Sequence, residues 1–91
     1  MRKSDRWTDA LASPTLHEAH VRLGKLAPPP NAAPEDRIAY HERCRDVYSK
    51  VSKVDAAHKH EATAWATCEL NSATRIRNAL KAEQEGAGDV A

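Results

Sequence analysis

Apolar residues return along the second half of the chain in steps of three and four. Tyr40, Cys44, Val47, Val51, Val54, His58, Ala62, Trp65, Glu69, Ala73, Ile76 and Leu80 share one face when residues are turned about 100° per step. The opposite face carries Glu42, Arg45, Ser49, Lys53, His60, Thr67, Asn71, Asn78 and Lys81. Neither Gly nor Pro interrupts residues 35–84. The unbroken phase predicts one helix of about 49 residues, roughly 73 Å at 1.5 Å per residue. The alternative is a break near 55–60, with Asp55 or the stretch from His58 to His60 supplying the irregular backbone. The two halves would then form a helical hairpin.

The first third has a different pattern. Trp7 and Leu11 stand one helical turn apart in a polar context, so residues 1–14 read as a polar arm with at most a short helix. After Ser13-Pro14, Thr15 and Glu18 have the spacing of a capping box. Leu16, Leu23 and Leu26, with Ala19 or His20 between them, form a second stripe, which predicts a short helix over 15–27 that Gly24 weakens near its end. Residues 28–34 are a Pro-rich linker, since consecutive prolines cannot continue a helix. Pro34 suits a first helical position, and Glu35 and Asp36 complement the positive end of the helix dipole. Gly86 and Gly88 predict that the pattern ends in a flexible tail over 85–91.

The predicted class is therefore all-α. A 15–27 helix spans about 18 Å and covers only about a quarter of a continuous stripe of the length given above. The remainder calls for a second copy, making a helical bundle by self-association. The expected interface is Tyr40, Cys44, Val47, Val51, Val54, His58, Trp65, Glu69, Ile76 and Leu80. Within it Glu69 is either an edge residue reaching water or a carboxylate paired with Arg75, Arg77 or a partner's lysine. His58 reads as a polar layer.

Composition narrows the function. The 91 residues hold no Phe, two Trp, two Tyr and one Met, so the core must be built from close Ala-rich helices. The net charge of +1 gives no strong pull toward nucleic acid or membrane. The basic start MRKSDRW is followed by no apolar signal core, and the two cysteines are too few for a disulfide framework, so a cytoplasmic protein with reduced thiols is expected. His17/His20 and His41/Cys44 are ligand-type pairs one turn apart, but they sit on different segments and lack the tight double pairing of a zinc site. No phosphate loop or nucleophile elbow occurs. No catalytic residue, metal or cofactor is expected. The basic front of the long helix, Arg37, Arg43, Arg45, Lys50, Lys53 and Lys59, is broken by Glu42, Asp46 and Asp55, as in a solvated face.

One family resemblance stands on Pro34-Glu35, Ile38, Tyr40 or His41, and Cys44-Arg45-Asp46, followed by Ala66, Leu70, Ala73 and Asn78-Ala79. Over about half the chain this resembles the hairpin domain of small phage proteins that sequester the cyclic-nucleotide signals of CBASS and Thoeris defence. The family's Pro-containing turn is replaced here by DAAHKHE. Its acidic pair and Trp in the second helix are replaced by Asn71-Ser72 and Ile76. The resemblance implies a homo-oligomeric, non-enzymatic binder of cyclic nucleotides, with Tyr40 or His41 as the base-stacking ring and Arg45 on phosphate.

Taken together, the residues predict a self-associating helical interaction protein without catalysis, and the resemblance implies a phage origin. The alternatives are the cyclic-nucleotide sponge, an adaptor docking on a larger protein, and a small DNA-associated regulator.

Overall fold

The computed structural model describes residues 6–89. Met1 to Asp5 of the N-terminal arm and residues 90–91 of the tail lie outside the described residues. Four α-helices follow one another: α1 Arg6–Leu11, α2 Leu16–Leu26, α3 Pro34–Val54 and α4 Lys59–Asp89, with a 3-10 turn Ala56–His58 between the last two. No strand occurs among the described residues.

The local signals act as their chemistry dictates. Thr15 has extended backbone, and its Oγ1 accepts from Glu18 N–H at 3.2 Å. The Glu18 carboxylate turns to Arg22 instead, at 3.3 Å, so the box is capped from one side. Pro34 opens α3, with Glu35 and Asp36 in the first turn.

One expectation about the ends is met and one is corrected. The described part of the arm carries the short helix that the sequence allowed, and it is packed: Ala10 and Ser13 are buried, and Trp7 and Leu11 pack against the core. At the other end α4 runs on through Gly86 and Gly88 to Asp89, so helix occupies most of the expected tail.

In the middle the structure decides between the two readings: the chain breaks near 55–60 into a helical hairpin, and the single helix over 35–84 is corrected. The chain leaves helical geometry at Asp55 (φ −108°, ψ 79°) and folds back. Tyr48 meets Trp65 and Glu42 meets Arg77, so α3 and α4 run antiparallel. The cause is a tertiary cap. Asp55 Oδ2 accepts from the backbone N–H of Leu16 at 2.9 Å and from Nδ1–H of His58, also at 2.9 Å. The Leu16 N–H is one of the orphan donors at the start of α2. One carboxylate therefore closes the α3–α4 turn and ties it to a helix 39 residues earlier.

That carboxylate yields a pH prediction. The Leu16 N–H, and then His58, hold the Asp55 carboxyl below its ordinary 3.8. A carboxyl lowered by folding contributes stability above its unfolded pKa and loses it as pH falls through the folded one. Thermal denaturation of Asp55→Ala should show a Tm several degrees lower than wild type at pH 7. The gap should narrow below pH 4. An equal gap at all pH values would contradict the cap.

The fold-back also changes what covers the apolar stripe. Cys44, Val47 and Val51 are 0–1% exposed, packed with Leu16, Ala19 and Leu23 of α2 and Ala10 of α1. These three interface candidates are covered within one chain, so their burial calls for no second copy. Ala62, Ala66 and Ala73 are the buried positions of α4, where small side chains let two helices approach closely. Val54 and His58 do not continue a stripe. They flank the turn and are exposed.

Candidate functional site

The interior seam carries more polar chemistry than an Ala-rich bundle requires. Tyr48 Oη and His20 Nδ1 share a hydrogen bond at 2.7 Å, joining α3 to α2. Trp65 of α4 lies on the same pair, stacked on Tyr48 (centroids 5.9 Å, 27°) and edge-on to His20 (4.9 Å, 79°). One level further, His41 Nδ1–H donates to Glu69 Oε1 at 2.6 Å, with both side chains under a quarter exposed. Glu69 is thus paired inside the hairpin, with a histidine rather than with Arg75, Arg77 or a partner's lysine.

Of the three expected ligand residues, Tyr40 and His41 touch ring to ring, with centroids 5.4 Å apart, and each of the three has a hydrogen-bond partner within the chain. The Tyr40 hydroxyl donates to the Leu23 carbonyl at 2.9 Å, and its ring is T-shaped against Trp7 at 5.9 Å. His41 is spent on Glu69. Arg45 holds Asp46 through Nε at 3.1 Å and Nη2 at 2.8 Å. Tyr40 faces α2, His41 faces α4, and Arg45 borders an outer groove.

The thiols differ. Burial, reinforced by the negative charge of Glu69 and only partly offset by a hydrogen bond with Tyr40, pushes Cys44 up to about 12. Burial is also the main reason the Tyr40 and Tyr48 phenols are raised. Cys68 is exposed on α4. No group of three or more His, Cys, Asp and Glu side chains with a metal-holding arrangement occurs among the described residues.

A cavity of about 520 Å³ lies between α1 and α2 beside Arg6, Asp9, Arg22 and Lys25. Its central cation is already occupied, because Arg22 donates to the Asp9 carbonyl at 2.8 Å, Ser13 Oγ at 3.3 Å and Glu18. The more open chemistry lies on the two flanks of α4.

On the first flank Glu61, Trp65, Cys68, Ser72, Arg75 and Ala79 follow steps of four and three. Trp65 is 44% exposed there, and Ser72 is half-buried. Neither Glu61 nor Arg75 makes an ion pair among the described residues. On the second flank a groove of about 410 Å³ runs between α3 and α4. Arg45, Ser49, Ser52 and Lys53 line one wall, Thr63 and Thr67 the other, over Ala66 and Leu70. The pattern read as a single stripe concealed both flanks. A second period through 61, 65, 68 and 72 is present in the sequence and was the signal for the first. The groove has no such signal, because it exists only once the chain folds back.

No protein-family model matches the chain, and comparison with curated proteins and with solved structures finds no match either. Among the described residues, no helix is long and apolar enough to cross a membrane.

Proposed function

We propose that the protein is a non-catalytic helical interaction module that pairs with a second copy of itself along the first flank of α4. The observation that carries this reading is the order of residues around Cys68. Glu61 and Arg75 stand seven positions to either side of it on one exposed face. An antiparallel α4 pair centred on Cys68 puts each Glu61 beside Arg75 of the other copy. It also brings each Trp65 within one residue of the small Ser72 of the other copy. Opposite charges meet twice, and large side chains meet small ones, as a twofold contact requires.

Trp65 suits such a contact because it is half-open yet already pinned by Tyr48 and His20, so little further ordering is needed on binding. The expected interface therefore shifts from the whole stripe to Trp65 and its flank. Glu69 and the buried positions of α3 serve the interior. Tyr40 also serves it, while Ile76 and Leu80 border a separate groove with Pro34 and Arg37.

Sedimentation equilibrium should give a dimer at micromolar concentration and a folded monomer for Trp65→Ala. Mild oxidation should link the chains through Cys68 alone, since Cys44 is buried. A wild-type monomer throughout the accessible concentration range would overturn the reading. So would a dimer that Trp65→Ala leaves intact.

A further inference from the structure

The groove on the second flank of α4 lies on the far side of the hairpin from the pairing face. One side of the α3–α4 hairpin is already filled by a helix, since α2 packs there through Leu16, Ala19 and Leu23. The other side is left open. Its floor is Ala66 and Leu70, the latter 39% exposed. Arg45 and Lys53 lie along one wall, and no carboxylate lines the groove. Lys53 makes no ion pair among the described residues, and Arg45 holds only Asp46 in an exposed pair, which costs little to exchange.

The hydroxyls along the walls decide what class of ligand fits. Thr63 Oγ1 donates to the Lys59 carbonyl at 2.9 Å, Thr67 Oγ1 to the Thr63 carbonyl at 3.2 Å, and Ser52 Oγ to the Ser49 carbonyl at 2.6 Å. Three of the four wall hydroxyls thus spend their protons on their own helices, and only Ser49 Oγ makes no such bond. A bare phosphate wants many donors and would find the two cations and one hydroxyl. An occupant bringing an apolar face for Leu70 and Ala66, with carboxylates for Arg45 and Lys53, uses every part of the groove.

We infer that this groove docks an acidic amphipathic helix of a partner protein. Arg45 and Lys53 are eight residues apart on α3, about 12 Å along the axis. The partner helix therefore carries carboxylates about two turns apart, with apolar residues on the face between them. Together with the α4 pairing face, this makes the molecule a two-sided adaptor.

The test uses the full chain and a fluorescein-labelled helical peptide with Glu two turns apart flanking a Leu face, beside a control with Lys for Glu. Anisotropy should show saturable binding of the acidic peptide that weakens with salt, and at least about 10-fold weaker binding of the control. Leu70→Ala and Lys53→Glu should each reduce affinity by at least about 10-fold with helicity unchanged by circular dichroism. Trp65→Ala should bind as wild type, which separates this surface from the pairing face. Absence of saturable binding by the acidic peptide would overturn the inference. So would equal binding of both peptides. Loss with Lys53→Glu but not with Leu70→Ala, together with competition by inorganic pyrophosphate, would reassign the groove to small anions.

Discussion

Leu23→Ala should be among the most damaging single substitutions in the chain. Leu23 is 2% exposed and packs with Cys44, Val47 and Val51. Truncating such a leucine costs about 2–5 kcal/mol, part lost transfer energy and part the cavity left behind. The Leu23 carbonyl also receives the Tyr40 hydroxyl, so a shift of α2 would disturb a second contact. In a domain of this size each kcal/mol moves Tm by roughly 4–8 °C. The variant should therefore melt well over 10 °C below wild type. Val21→Ala, on the exposed side of the same helix, should melt close to it. Similar losses for the two would mean that α2 does not rest on α3 through Leu23.

The second large effect has the opposite geometry. Ala62 is fully buried where α4 meets α3, while Ala64, two residues on, is exposed. Leu and Ala are both good helix formers, so Ala64→Leu should change stability little. Ala62→Leu must push the helices apart or force strained rotamers, at about 1–3 kcal/mol. The contrast between neighbouring positions isolates packing from propensity. Two equal, small effects would mean that the α4 face through Ala62 is open.

Local chemistry was legible wherever a determinant lies within a few residues. Thr15 as a cap, Pro34 as a first helical residue and the all-α class follow from short-range rules. The fold-back near 55–60 stood only as the alternative to a continuous helix, because those rules do not choose between the two. Residues 54–66 hold no Gly, Pro or Asn, and the apolar phase continues through them. What ends α3 is a bond from Asp55 to Leu16 N–H, 39 residues away in sequence, and no local pattern records it. Once that turn was read as helix, the stripe looked too long for one chain to cover. In the folded molecule α2 and α4 cover different parts of α3. The candidate site suffered from the same cause. Tyr40, His41 and Arg45 are neighbours in sequence, but tertiary partners draw Tyr40 to Leu23 and His41 to Glu69, while Arg45 holds the adjacent Asp46. The open flanks of α4 are visible only after its inner face has been assigned.

The fold-back at Asp55 underlies both the pairing face and the groove, and a single distance tests it. Nitroxide labels at positions 42 and 77, in a chain with Cys44→Ala and Cys68→Ala and diluted with unlabelled protein, report their separation within one molecule. Glu42 and Arg77 are ion-paired across the hairpin. Packed helices lie about 8–10 Å apart, so with the label arms the separation should fall near 20 Å. A continuous helix would place the same 35-residue interval at about 52 Å, and a distribution centred there would contradict the account.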